Sequence, residues 1–209
     1  MTADALSWDG IAEKYAAKPV EDVPAYHHKL EITKARLTPD DRVLDIGCGT
    51  GSLALELAPH VAQVHAVDVS GEMVRIGQQK ASALNVSNVA FHRSAFDEPL
   101  PFEAGSFDVI CAFSILHLLE DRRGALERIH DLLEPGGSFI SSTVCLRASM
   151  VPYGPILRVM RWFGKAPPVY LIDEATLARD FHDAGFVDIS SPEVGAKKVV
   201  AFMVANKPA

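Results

Sequence analysis

The chain has 209 residues, a length that fits one domain, and 48% of them are hydrophobic, enough for a substantial core. The formal net charge of -7 argues against nucleic acid as the main partner, because a phosphate backbone needs a basic surface. No stretch is long and apolar enough to cross a bilayer, and the first residues lack the layout of a secretory signal. We therefore expect a cytoplasmic protein.

The three cysteines, Cys48, Cys111 and Cys145, are widely spaced in apolar surroundings. An odd number without metal-ligand spacing predicts buried thiols, with neither a disulfide framework nor a metal site. Cys48 falls inside a glycine-rich turn and is a candidate contact for a cofactor, with packing as the other interpretation.

Two helices are predicted before the first strand. Residues 7–18 place Trp8, Ile11, Ala12 and Tyr15 at helical spacing, and a proline follows the segment. Residues 22–37 predict a second helix. Its apolar face consists of Tyr26, Leu30, Thr33 and Leu37.

The next segment, Val43–Gly51, reads Val-Leu-Asp-Ile-Gly-Cys-Gly-Thr-Gly and predicts a strand, a tight turn and the start of a helix. Gly47, Gly49 and Gly51 have no Cβ, so backbone N–H groups can approach a ligand closely. The positive end of the following helix would point to the same place. The dinucleotide fingerprint requires glycine at position 52, where this chain has Ser52.

Asp45 stands two residues before the first of these glycines. A carboxylate there would repel a pyrophosphate but suits a cationic ligand, and S-adenosylmethionine carries a sulfonium and an ammonium group. Ser52 and Asp45 thus disfavour a nicotinamide-dependent oxidoreductase. A buried strand with a glycine-rich connection and no ligand is the plainer alternative.

The segment Val43–Gly51 resembles the first motif of class I S-adenosylmethionine-dependent methyltransferases, and the resemblance runs from about Trp8 to the last strand. It implies S-adenosylmethionine as cofactor and a single domain over 1–209. The implied fold is an α/β, Rossmann-like, doubly wound sheet of seven strands, mostly parallel with one antiparallel C-terminal strand. It also implies an N-terminal helical cap over 1–37, in which Tyr15 and Tyr26 either line the ligand or pack the helices onto the sheet.

A second strand is predicted over 63–67, with Asp68 at its carboxyl end. In a doubly wound sheet a carboxylate at this position can accept hydrogen bonds from both ribose hydroxyls. The alternative is helix capping, which we assign to Ser70. Val69 adjoins the same site, and Met73, one turn into the next helix, lies either against the adenine or in the core.

The third strand is predicted over 88–92, and the residues after it are expected to contact the adenine. Many relatives have an aspartate at the place of Ser94, and a hydroxyl can accept the same hydrogen bond more weakly. Ala95 and Phe96 would add backbone and apolar contacts. Asp97 is an alternative acceptor.

The fourth strand is predicted over 106–113, and Ser114 and His117 follow its carboxyl end, where ligands bind in open parallel sheets. Ser114 is expected to contact the cofactor. His117 can act as a general base if the acceptor must lose a proton, or it is a hydrogen-bonded structural group. Asp108, at the start of the strand, is interpreted as structural.

Residues 134–137 predict a turn, 138–144 a fifth strand, and 145–172 a lid-like insertion over the acceptor. Met150 and Tyr153 are predicted to line the acceptor together with Tyr15, Tyr26 and His117. The insertion also contains Arg158, Arg161 and Lys165, so contact with a membrane surface is a second interpretation and a dimer contact a third. The choice between monomer and homodimer stays open.

A helix capped by Asp173 and two strands, 186–190 and 198–205, complete the chain. The short connection between these strands predicts an antiparallel pair.

The predicted function is direct in-line methyl transfer from S-adenosylmethionine to a small, apolar acceptor, for which the protein mainly supplies alignment and a dry pocket. A membrane-associated lipid or quinone methyltransferase and a non-catalytic protein that binds S-adenosylmethionine are the alternatives.

Overall fold

The computed structural model describes residues 3–96, 100–147, 169–196 and 199–209. Most of the predicted lid, including Met150 and Tyr153, and the alternative adenine acceptor Asp97 lie outside the described residues. No helix in these four ranges is long and apolar enough to span a membrane.

Seven strands form one sheet in the order β3-β2-β1-β4-β5-β7-β6, and β7 runs antiparallel to both of its neighbours while the other strands are parallel. This confirms the predicted topology. The strands are β1 (Arg42–Ile46), β2 (Gln63–Asp68), β3 (Val89–Arg93), β4 (Phe107–Phe113), β5 (Leu133–Val144), β6 (Val187–Ser190) and β7 (Val200–Asn206).

Helices cover both faces of the sheet, as parallel strands joined by crossovers require. The described α-helices are α1 (Ala3–Asp9), α2 (Ala12–Ala17), α3 (Val23–Lys34), α4 (Ser52–Leu57), α5 (Gly71–Ala83), α6 (Arg122–Leu132) and α7 (Glu174–Asp183). Short 3₁₀ turns follow α4 at Ala58–His60 and precede α6 at Leu116–Leu118.

The core has one apolar layer on each face of the sheet. Leu30 of α3 and Leu57 of α4 pack on one face, and Leu126 of α6 and Phe181 of α7 pack on the other. α3 and α4 therefore cover the same face. On this side the Tyr15 ring of α2 also lies next to Gly49, in the turn that follows β1.

Two element predictions were wrong. Residues 7–18 do not form one helix: α1 ends at Asp9, where the Gly10 and Ile11 N–H groups bond back to the Leu6 and Trp8 carbonyls. The Asp9 side chain, at the end of α1, accepts hydrogen bonds from the residues that begin α5.

The second error concerns β5, which begins at Leu133, five residues before the prediction. The Pro-Gly-Gly sequence forms an irregularity within the strand. In the pairing with β4, Phe107 lies opposite Leu133, and the next pair is Val109 with Ser138. The register therefore shifts between these two pairs.

Candidate functional site

The glycine-rich turn connects β1 to α4 at the carboxyl edge of the sheet. Gly47 and Cys48 both donate backbone hydrogen bonds to the Val67 carbonyl, at 2.8 and 3.0 Å, which ties the turn to β2. Gly51 caps α4 with a left-handed backbone at φ 75°. The sequence predicted this strand, turn and helix, and the structure confirms them.

The glycines of the turn have different reasons to lack a side chain. A Cβ on Gly47 would lie 2.9 Å from Ile115, and one on Gly51 would lie 2.7 Å from Phe91. A Cβ on Gly49 would meet Tyr15 only at 3.5 Å, an ordinary contact. All three glycines also have left-handed backbones, with φ of 66°, 53° and 75°. Packing within the chain is a second reason for Gly47 and Gly51, whereas the requirement at Gly49 comes from its backbone conformation, beside Tyr15 of α2.

Asp45 is buried at the end of β1, with 1% of its surface exposed. Its Oδ2 atom has no hydrogen-bond partner among the residues that the structure describes. Burial and then the charge of Asp68 raise the pKa of Asp45 to about 8, and a backbone hydrogen bond from Ala54 opposes that rise. An unpaired buried carboxyl of this kind favours a ligand that brings a positive charge.

Asp68 lies at the end of β2, where its carboxylate accepts backbone hydrogen bonds from Gly49 and Ser70, both at 2.9 Å. Burial raises its pKa, and these bonds lower it in part. Each oxygen keeps a free lone pair, so the carboxylate can also accept a hydrogen bond from a hydroxyl group. Ser70 accepts from the Met73 N–H and is the cap of α5, as we assigned.

The first two helices are fixed to α5 rather than standing free of the sheet. Asp9 accepts hydrogen bonds from the Ser70 hydroxyl at 2.6 Å and from the Glu72 N–H at 3.1 Å. Met73 packs with Ala12 and Ile76 in a small apolar cluster. Of the two interpretations of Met73, the structure favours the core, and the half-buried Val69 lies between these groups and β2.

Tyr15 and Tyr26 lie beside the glycine turn. Tyr15 contacts Trp8 edge to face, with ring centroids 6.5 Å apart, and 48% of its surface is exposed. Tyr26 is half-buried against the sheet, and burial and then the charge of Glu56 raise its pKa to about 12. Both phenols are therefore neutral at pH 7, which makes them wall residues rather than bases.

The residues predicted to contact adenine lie next to Asp68. The Ser94 N–H bonds to the Asp68 carbonyl at 3.0 Å, and its hydroxyl bonds to the Ala95 carbonyl at 3.3 Å. The Phe96 ring is buried beneath the Arg128 guanidinium, 5.5 Å from the ring centroid. The structure thus brings Ser94 and Ala95 to the end of β3, whereas the Phe96 ring lies in the core.

The opposite side of the site is formed by the segment after β4. Ser114 has a left-handed backbone at φ 61°, and its N–H bonds to the Ser142 carbonyl at 2.7 Å. His117 is 8% exposed, and its Nδ1 atom has no partner within the described ranges. Burial lowers the pKa of His117 to about 4, so the imidazole is neutral at pH 7.

All three thiols are buried and unpaired, as predicted. Burial, and then the charges of Asp45 and Asp68, raise the pKa of Cys48 in the glycine turn well above its ordinary value, so this thiol stays protonated and is not a nucleophile. The described ranges contain no group of three or more side chains that could hold a metal ion.

Two side chains on this edge were missed from the sequence. Lys29 of α3 donates a hydrogen bond to the Ser142 hydroxyl of β5 at 2.9 Å. A single lysine on a predicted helix carries no signal by itself, and the contact joins residues 113 positions apart.

Comparison with known proteins agrees with this geometry. A family model described as a methyltransferase domain matches residues 43–137. The demethylmenaquinone methyltransferase of Geobacillus kaustophilus is 32% identical over 173 residues, which cover 71% of this chain and 71% of that protein. The chain belongs to the class I S-adenosylmethionine-dependent methyltransferase family.

One further sequence relative and one solved structure are similar to parts of this chain. The ubiquinone/menaquinone biosynthesis C-methyltransferase UbiE of Geotalea daltonii is 35% identical over 116 residues, 54% of this chain and 49% of that protein. The chain spans about half the length of the first curated relatives it matches. A phosphoethanolamine N-methyltransferase of Haemonchus contortus, solved with S-adenosylhomocysteine, shares the fold with a TM-score of 0.73 at 19% identity, over 88% of this chain and 53% of that one.

Proposed function

We propose that this methyltransferase transfers the methyl group of S-adenosylmethionine to a small, apolar acceptor by direct in-line displacement. The observation that supports this most is the unpaired, buried Asp45 oxygen beside the glycine turn. It suits a cation, and the Asp68 carboxylate, at the end of the next strand, can accept hydrogen bonds from hydroxyl groups. This combination suits a positively charged nucleoside and not a pyrophosphate.

The residues of the chain have separate tasks in this proposal. Asp45 holds the positive charge, Asp68 orients the ribose, and Gly49 allows close backbone approach. Tyr15 covers the turn and keeps water from the reacting atoms. When bound, S-adenosylmethionine supplies a methyl group on a positively charged sulfur, which keeps the electron pair as the methyl group bonds to the acceptor.

If the molecule that receives the methyl group must first lose a proton, His117 is the group proposed to take it. Its imidazole is neutral at pH 7 and can take one, but the burial that keeps it neutral also makes it a weak base. Methyl transfer to an acceptor that is already deprotonated does not need it. Replacing His117 by alanine is therefore expected to lower kcat less than tenfold for such an acceptor.

Calorimetry on the purified chain tests the proposal. We expect S-adenosylmethionine and S-adenosylhomocysteine to give binding heat, and NAD(H) to give none. Heat with NAD(H) alone would contradict it. Binding heat without formation of S-adenosylhomocysteine in the presence of any acceptor tried would favour the non-catalytic alternative.

A quinone-related acceptor is the second, finer candidate, and the names of two relatives favour it. 1,4-Naphthohydroquinone with and without a prenyl tail is the direct probe, and mass spectrometry of the product would show the added methyl group. Flotation with anionic liposomes tests the membrane-associated form. A chain that stays at the bottom of the gradient would remove the support for lipid contact.

A further inference from the structure

Lys29 brings a positive charge to the edge of the sheet where the acceptor is expected. It lies three residues after Tyr26 on α3 and is half-buried. Its Nζ atom donates to the hydroxyl of Ser142, a residue near the carboxyl end of β5 with 4% of its surface exposed. The ammonium group is therefore held at a fixed depth below the N-terminal helices.

Aromatic rings stand on both sides of this contact. Ser142 pairs in register with Phe113 of β4 and with Phe202 of β7, so the three side chains share one face of the sheet. The two rings meet edge to face, with centroids 6.0 Å apart. The charge thus ends against an apolar, aromatic wall, an arrangement that suits an aromatic compound with one acidic group.

The hydroxyl of Ser142 does not compensate the lysine charge. Burial lowers the pKa of Lys29, and this effect exceeds the opposing attraction of Asp22. If the contact served only to fasten α3 to β5, an uncharged side chain would do so without the cost of desolvating an ammonium group. Lys34, at the other end of the same helix, has a carboxylate partner in Glu56 at 3.6 Å.

We propose that Lys29, held by Ser142, determines acceptor specificity by binding an anionic oxygen of the acceptor, either a carboxylate or an ionised hydroxyl. This rests on the proposed function, because it assigns one end of the same site, and it narrows the small, apolar acceptor to an aromatic compound with a single acidic group. An anionic oxygen replaces the lost hydration of the ammonium with a charge-assisted hydrogen bond. The methylated atom then lies at a fixed distance from that oxygen.

Binding to the complex with S-adenosylhomocysteine tests the proposal without knowledge of the natural acceptor. The probes are two matched pairs, benzoate with benzamide and 4-nitrophenolate with 4-nitroanisole, measured by ligand-observed NMR. We expect the anionic member of at least one pair to bind about tenfold more tightly, as one charge-assisted hydrogen bond predicts. The pair that shows the preference identifies the acidic group.

The variants separate this role from a structural one. Lys29→Met should abolish the preference for the anion, Lys29→Arg should retain most of it, and Ser142→Ala should weaken it. Lys34→Met removes the same charge from the same helix, at a position where the lysine pairs with Glu56, and should leave the preference unchanged. Affinity for S-adenosylhomocysteine should be equal in all four variants and in the unmodified chain.

Equal binding of anionic and neutral probes by the unmodified chain would overturn the proposal, as would an unchanged preference in Lys29→Met. If Lys29→Met does not fold, NMR of the chain without substitutions, with its lysines reductively methylated by a ¹³C label, tests the proposal instead. The Lys29 signal, identified by its loss in Lys29→Arg, should then move with the anionic probes and not with the neutral ones. Failure of S-adenosylhomocysteine to bind at all would instead contradict the proposed function.

Discussion

Asp68 accepts a hydrogen bond at 2.9 Å from the backbone N–H of Gly49, which joins the end of β2 to the middle of the glycine turn. The same carboxylate accepts from the Ser70 N–H at the start of α5. One acidic side chain therefore positions the turn and the next helix together. The proposed ribose contact would use oxygens that the chain already holds in place.

We expect Asp68→Ala to weaken binding of S-adenosylhomocysteine by roughly 10- to 100-fold, the value of one or two charge-assisted hydrogen bonds. Calorimetry measures the change. Asp173→Ala is the control, because Asp173 caps the distant α7 through the Thr176 N–H. That variant should lose about 1 kcal/mol of stability and no affinity. Unchanged affinity in Asp68→Ala would remove the ribose assignment.

Asp45 predicts a pH dependence of cofactor binding. Its pKa of about 8 in the free protein means that the carboxyl group is mostly neutral at pH 7 and becomes charged as the pH rises through 8. A cationic ligand binds the charged form, so affinity for S-adenosylmethionine should rise with pH up to about 8, and binding below that pH should release a proton. Calorimetry in buffers of different ionisation enthalpy detects the proton.

Asp45→Asn is the matching variant, since the amide cannot ionise. The affinity of this variant should be lower and almost independent of pH between 6 and 8. A pH profile in Asp45→Asn that matches the unmodified chain would assign the titration to another group.

A pair of histidines predicts acid sensitivity of the fold. The Nδ1 atom of His65 lies 3.0 Å from Nε2 of His92, and Phe102 contacts both rings. Burial, with the charge of His92 next, lowers the pKa of His65 to about 4. The unfolded chain binds a proton at this side chain below its ordinary pKa of about 6.5, and the folded chain does not until about 4.

Stability should therefore fall as the pH is lowered from 7 to 4. His65→Leu removes this group and should make that part of the profile shallower, measured by urea unfolding at several pH values. His117, whose pKa burial also lowers to about 4, should account for part of the slope that remains. His28→Gln, at an exposed position of α3, should leave the profile unchanged. An equally steep loss of stability in His65→Leu would show that other groups cause it.

The contact between α6 and α7 predicts that replacing two aspartates of α7 by alanine lowers the free energy of unfolding by very different amounts. Asp180 is buried and accepts two bonds from Arg122, at 2.8 and 2.5 Å. Asp180→Ala leaves the Arg122 guanidinium, whose side chain is 15% exposed, without this carboxylate partner, so the substitution should cost about 3 kcal/mol. Asp183 pairs with Arg123 at the surface, so Asp183→Ala should cost less than about 1 kcal/mol. Equal costs, measured by chemical unfolding, would contradict the assignment.

Several predictions made from the sequence can be compared with the structure residue by residue. The order of strands and helices, the glycine turn and the cap at Ser70 were predicted correctly, because hydrophobic period, glycine spacing and capping residues act over a few neighbouring positions. The single helix over 7–18 was wrong: the chain turns after Asp9 at an Asp-Gly dipeptide, a local turn signal that the prediction did not weigh. The bond from the Ser70 hydroxyl to Asp9 joins residues 61 positions apart, and no local pattern predicts it.

Local patterns in the chain were enough to predict the fold, the turn at the end of β1, and an acidic residue there that suits a cation. The folded molecule was needed to show that side chains at Gly47 and Gly51 would collide with Ile115 and Phe91. It was also needed to show that one Asp45 oxygen lacks a partner among the described residues and that Lys29 reaches Ser142. The reason is physical: burial, pKa and charge pairing depend on groups that are distant in the chain and become neighbours only when the sheet forms.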